Sequence, residues 1–148
     1  MGTQPASLVL DCNEKLWTLC DGCYSMENPT LCRINPTTMT IEKEFTLAKG
    51  GDFFPRVHLN STNDKLYWIN NGTIYSMPIN AETLPATPTI QRDDARFYSM
   101  TIDPLTNEIY AGDAIDSQQP GMLYRYSSAG ALLDSFYVGI IPENYCWN

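Results

Sequence analysis

The chain has 148 residues, 9 of them basic and 17 acidic, for a net charge of −8. That balance argues against a nucleic-acid phosphate backbone or an anionic membrane surface as partner, and no apolar run approaches the roughly 20 residues of a membrane span. Nine tyrosines, ten prolines and nine glycines, with 11% aromatic residues, read as all-β rather than helical.

Met1-Gly2-Thr3-Gln4 opens without a basic region and without a following apolar stretch, so no export signal is legible. The chain therefore reads as cut from something longer, or as a cytoplasmic product in its own right. The first expected strand is Leu8-Val9-Leu10-Asp11. A polar turn leads to Leu16-Trp17, a third segment runs from Thr30 to Ile34, and a weaker fourth from Ile41 to Leu47. The pattern then repeats. Val57-His58-Leu59-Asn60 is followed by Leu66-Tyr67, by Thr73 to Met77, and by Pro88 to Gln91. Met100-Thr101-Ile102-Asp103 is followed by Ile109-Tyr110, by Met122 to Tyr126, and by Leu132 to Val138. A fourth copy of the first motif, Tyr145-Cys146-Trp147-Asn148, closes the chain.

The four motif starts lie 49, 43 and 45 residues apart. A period of about 40–50 residues is what four short strands and their turns require. The second segments carry bulk on both faces (Leu16, Trp17, Leu19; Tyr67, Trp68, Ile69), which suits a blade packed on both sides better than a sheet with one wet face. A β-sandwich is the main structural rival, and the repeated register disfavours it. The expected fold is one all-β partial propeller over 1–148. It has four-stranded blades at about 5–48, 55–92 and 97–138 and an extra inner strand at 144–148. Three blades do not close a ring of typically four to eight. The lone last motif thus reads as the closing, C-terminal portion of a ring, or copies associate through open blade edges and faces.

Asp11, Asn60 and Asp103 open the first turns, and their expected work is side-chain bonding to the turn backbone. Calcium at Asp103 or Glu108 is the alternative, although no loop has the dense alternating acids of an EF-hand. Cys20-x-x-Cys23, with Cys12 and Cys32 nearby, reads three ways: ordinary thiols, a Cys20–Cys32 or Cys23–Cys32 disulfide, or zinc. His58, the only histidine, lies in an expected innermost strand, where it either packs or lines the axial channel. No Ser–His–Asp signature and no phosphate loop is present. The expectation is a non-enzymatic protein without a resident cofactor.

A propeller's loops from strand two to three, and from strand four to the next blade, open on one end. Here those are 21–28, 70–72 and 113–121, with 49–56, 92–98 and 139–144 between blades. Candidate ligand-binding residues on them are Tyr24, Phe53, Phe54, Arg56, Arg96, Tyr98, Asp113, Asp116 and Asn144. Aromatic anchors among amide and charged groups suit a large neutral ligand edged with amides, a sugar, or a protein partner. A metal-dependent lactonase would instead need Asp113, Asp116 and Glu143 to converge.

Several stretches resemble the C-terminal half of YncE-like seven-bladed propellers of the Bacteroidetes cell surface. They are Lys65 to Asn71, Tyr75-Ser76-Met77-Pro78-Ile79, Ala111 to Asp116 with Gln118-Gln119 and Leu123 to Tyr126, and Phe136 to Pro142 with Cys146-Trp147. That family includes BtuG-type outer-membrane lipoproteins. The resemblance implies a propeller fold, cobalamin as ligand, a TonB-dependent transporter as partner, and a cell-surface, outer-membrane location. A structural or protein-interaction propeller of the envelope is the alternative. Cys20, Cys23 and Cys32 depart from the family pattern.

Overall fold

The computed structural model of the chain describes residues 2–22, 26–49 and 56–147. It contains eleven strands: β1 (Pro5–Leu10), β2 (Leu16–Cys20), β3 (Thr30–Asn35), β4 (Thr40–Thr46), β5 (Val57–Leu59), β6 (Lys65–Asn70), β7 (Thr73–Pro78), β8 (Phe97–Ile102), β9 (Ile109–Asp113), β10 (Met122–Tyr126) and β11 (Leu132–Tyr137). They form three antiparallel meanders, β1-β2-β3-β4, β5-β6-β7 and β8-β9-β10-β11. No helix among the described residues is long and apolar enough to cross a membrane.

The strand starts follow from the turns. Asp11 Oδ1 accepts from the Asn13 and Lys15 amides, Asn60 Oδ1 from Asp64 and Lys65, and Asp103 Oδ1 from Leu105 and Thr106. Each turn also has one residue at positive φ, namely Glu14, Asn63 and Asn107, and asparagine tolerates that region better than most. The acids and amides at these positions are therefore turn-makers. Glu108 is held by a bidentate pair with Arg125, at 2.7 and 2.9 Å, so neither calcium candidate stands free.

Side-chain alternation then builds the seams between blades. The first seam packs Trp17, Leu19, Leu31 and Phe45 against Val57, Leu66, Trp68 and Met77. The second packs Tyr67, Ile69 and Ile74 against Met100, Ile102, Ile109, Tyr124 and Tyr126. The second blade offers one face to the first and the other to the third. Bulk on both faces of β6 is the direct consequence.

Two expected strands differ. The second sheet has three strands rather than four: Pro88 to Gln91 makes only an isolated bridge between Ile90 and Ile74. The Thr89 and Ile90 amides both donate to the Ile74 carbonyl, so two successive donors share one acceptor and the regular ladder stops there. The last motif, at 144–148, forms no strand over 144–147. It still occupies an inner-strand position. Tyr145 and Trp147 align with Val57 and Leu59 and with Met100 and Ile102, and they lie on the outer face of the third blade. The Tyr145 hydroxyl is 2.8 Å from Ser99 Oγ. Trp147 meets Tyr110 edge-on at 5.2 Å, where Trp17 and Tyr67 stand in the earlier blades. A strand needs a hydrogen-bonded neighbour, and no described segment lies beside this one.

Gly112 makes the close approach possible. A Cβ there would sit 2.6 Å from Ser99 Oγ, 2.9 Å from the Tyr145 hydroxyl and 3.0 Å from Pro142 Cγ. Gly112→Ala is expected to lift the 142–147 segment at a cost of about 1–2 kcal/mol. Chymotryptic cleavage after Tyr145 should then run several-fold faster; an unchanged rate would show that the segment is held elsewhere.

Candidate functional site

The two ends of the blades differ in chemistry. At one end the β1–β2, β5–β6 and β8–β9 turns are tied together: the Cys12 amide donates to Asn63 O, and Ser61 and Asn107 exchange two bonds of 2.7 and 2.9 Å. At the opposite end the longer loops meet. Asn70 Nδ2 donates to Ala48 O, Asn71 Nδ2 to Lys49 O, and the Phe97 amide to Gly72 O. This second end carries the candidate residues.

Of those, Tyr24, Phe53 and Phe54 lie outside the described residues. The structure brings Arg56 and Asn144 together. Arg56 Nη1 donates to Asn144 Oδ1 at 3.2 Å, and Nη2 stands 3.6 Å from Glu143. These groups come from positions 88 residues apart, one at the start of β5 and the others after β11. A second group forms at the next seam, where the Arg96 amide donates to buried Asp113 at 3.4 Å and the Arg96 side chain lies over Gly72. Asp113 also accepts from the Ile115 amide. Asp116 stands apart. It closes its own turn by accepting from the Gln118 and Gln119 amides, which hold its carboxyl below the usual range. Tyr98 is half-buried on β8.

The acids of the lactonase alternative do not converge. Asp113 and Asp116 each close a turn, and Glu143 pairs with Arg56. Among the described residues no three histidine, cysteine or acidic side chains group in a way that could hold a metal ion. Cys12, Cys20, Cys32 and Cys146 are free thiols, so the Cys20–Cys32 disulfide is not formed; Cys23 lies outside the described residues. Cys32 is buried, and burial pushes its thiol up from the ordinary value.

His58 sits on β5 opposite Tyr67, on the face turned toward the third blade. Its Nε2 is shielded from water and has no hydrogen-bond partner among the described residues. Burial first, and then the nearby Arg56 charge, push the imidazole down to about 4. It is therefore neutral near pH 7.

Sequence reasoning missed two features of this end. One is Ser99, which bonds both the Pro142 carbonyl and Tyr145 and so ties the last segment to β8. The other is a cleft of about 160 Å³ at the first seam, lined by Leu47, Ala48, Trp68, Asn70, Tyr75, Leu84 and Pro85. Neither carries a sequence signal, because each joins residues that are distant in the chain.

No protein-family model matches the chain, and no curated protein matches it. Solved structures do. A quinonprotein alcohol dehydrogenase-like protein from Bacteroides thetaiotaomicron superposes with a TM-score of 0.69 at 17% identity, over 89% of this chain and 33% of its own length. The Cps50 (Swd1) β-propeller domain of Myceliophteria thermophila superposes with a TM-score of 0.63 at 13% identity, over 96% of this chain and 44% of its own. The chain thus spans about a third of one of these proteins and less than half of the other. At these identities the likeness speaks for fold alone: the chain is a run of consecutive blades of a β-propeller.

Proposed function

We propose that the chain is part of a non-enzymatic, ligand-capturing propeller whose long-loop end forms the binding surface. The observation that carries this is the meeting of Arg56, Glu143 and Asn144, which sets a guanidinium, a carboxylate and an amide together at the long-loop end. Such groups suit a large polar ligand that offers several amide donors and acceptors. Cobalamin is the leading ligand, supported by the sequence resemblance alone. Delivery to a TonB-dependent transporter at the outer membrane belongs to the same proposal and has the same support.

Calorimetric titration with cyanocobalamin tests the reading on this chain and on any longer polypeptide that contains it. Saturable binding is expected, weakened about tenfold by Arg56→Ala, since a charge-assisted contact contributes roughly 1.5 kcal/mol or more. Absence of saturable binding in both polypeptides would end the cobalamin assignment.

A protein-interaction propeller is the second reading, and one observation favours it. Leu10, Leu16, Ile34 and Ile41 form an aliphatic row across all four strands of the first blade, on the face turned away from the second. Leu10 is 51% and Ile41 41% exposed, and neighbouring Leu8 is 59% exposed. An apolar stripe of that kind is a contact surface for another protein or a second copy. Sedimentation of the chain with Leu10→Lys and without it would show whether the stripe drives association.

A further inference from the structure

The cleft at the first seam has a chemistry unlike the polar mouth. Its floor is the parallel stack of Trp68 and Tyr75, whose ring centroids lie 5.9 Å apart at 16°. Leu47, Leu84 and Pro85 add apolar walls. Polar side-chain character comes only from the two ring substituents and from the Asn70 amide, which is fixed by its bond to Ala48 O. Leu47 and Ala48 follow β4 and Asn70 ends β6, so the cleft lies toward the long-loop end. Tyr75 is only half-buried, which leaves the floor accessible.

Size decides the class of occupant. At about 160 Å³ the space is far below the roughly 300 Å³ and upward of a whole drug-sized ligand. It is close to the apolar cavity of about 150 Å³ that takes up benzene in another protein. We propose that this cleft seats one planar aromatic or heteroaromatic ring carried by the ligand, whose polar remainder extends over the loop end. The inference rests on the reading of that end as ligand-binding and sharpens it: the ligand carries a small planar aromatic group. Apolar walls strip the ring of water, and the part-exposed Tyr75 ring, backed by buried Trp68, favours a planar π-system over a saturated ring of equal size.

Phenol is the probe, with cyclohexanol as its saturated counterpart, titrated into the 148-residue chain and followed by two-dimensional NMR. Phenol is expected to shift the Trp68 indole and Leu84 methyl resonances saturably in the millimolar range or below. Cyclohexanol should bind about threefold or more weakly. Ala48→Phe, which fills the cleft, should weaken phenol binding about tenfold or more while leaving the thermal midpoint unchanged or higher. Leu84→Phe fills it from the opposite wall and decides the matter if the first variant unfolds. The proposal is overturned by absent shifts at Trp68 and Leu84, by equal binding of the two probes, or by phenol binding that survives both filled variants. Phenol binding that persists while cyanocobalamin fails to bind sinks the cobalamin assignment, and cyanocobalamin binding unaffected by Arg56→Ala sinks the mouth assignment; either result leaves the cleft standing. The converse pattern sinks the cleft alone.

Discussion

Asp11→Ala is expected to destabilise the chain by about 3 kcal/mol, more than any other single turn substitution. Asp11 is buried, and its two oxygens serve three donors. Oδ1 takes the Asn13 and Lys15 amides at 2.8 and 2.9 Å, and Oδ2 takes the indole Nε1 of Trp17 at 2.8 Å. Trp17 has no exposed surface. Removing the carboxylate therefore strands a buried N–H, which costs about 1–3 kcal/mol by itself, and opens the β1–β2 turn as well. Asp11→Asn keeps one acceptor oxygen and should lose roughly half as much. Asp103→Ala is the control. That residue makes the same turn in the third blade, but Tyr110 stands where Trp17 would be and no indole depends on it, so the loss should be far smaller. Urea unfolding followed by tryptophan fluorescence measures all three. Equal losses for Asp11→Ala and Asp103→Ala would show that the indole bond contributes nothing.

Acid should weaken the fold well before the carboxylates titrate, because of His58. Above pH 6.5 the imidazole is neutral in folded and unfolded chains alike, and it adds no pH dependence. Between 6.5 and about 4 only the unfolded chain takes up the proton, because burial and the Arg56 charge hold the folded value down. The unfolded state then binds more protons, and stability falls as pH falls. The loss across that window should be on the order of 2 kcal/mol, since a tenfold difference in proton affinity corresponds to about 1.4 kcal/mol and the half-buried ring keeps part of its surface in water. Arg92 and Lys43 hold Asp94 and Glu82 below the usual carboxylate range, and Asp103 is lowered by the turn amides it accepts from. These groups lose their bonds only at still lower pH, in the same direction. His58→Gln should flatten the limb between pH 6.5 and 4 and leave the lower one. An unaltered profile in that variant would place the acid sensitivity elsewhere.

The repeat is legible because propeller blades reuse one local solution. Asp11, Asn60 and Asp103 open like turns, Leu16, Leu66 and Ile109 pair with like inner-strand residues, and the seams place Trp17 and Tyr67 at one position. Periodicity read from those residues needs no knowledge of long-range contacts. The register and apolar content of Pro88 to Gln91 predict a fourth strand in the second blade, yet only Ile90 bridges Ile74. Alignment of successive donors with successive acceptors, rather than hydrophobicity, decides whether such a segment pairs.

The candidate site is less legible. The loop positions that form one end follow from strand counting, and Arg56 and Asn144 do meet there. Their pairing, across 88 residues of sequence, leaves no local signal, and neither does the division of Asp113 and Asp116 into two separate turns. The cleft between Trp68, Tyr75 and Leu84 leaves no mark at all, since a cavity is a defect of packing between blades rather than a property of any one segment.

The sequence by itself determined the blade unit, its turns and the two-faced character of the inner strands, because those depend on alternation and on side-chain bonds within a few residues. It also set the last motif, Tyr145-Cys146-Trp147, in the register of an inner strand. Only the tertiary structure decided what that motif becomes. Tyr145 and Trp147 lie on Ser99, Gly112 and Tyr110 as an inner strand's side chains would, yet the backbone forms no strand. Side-chain packing needs only the face of the preceding blade, whereas a strand needs a neighbour to share its amides and carbonyls.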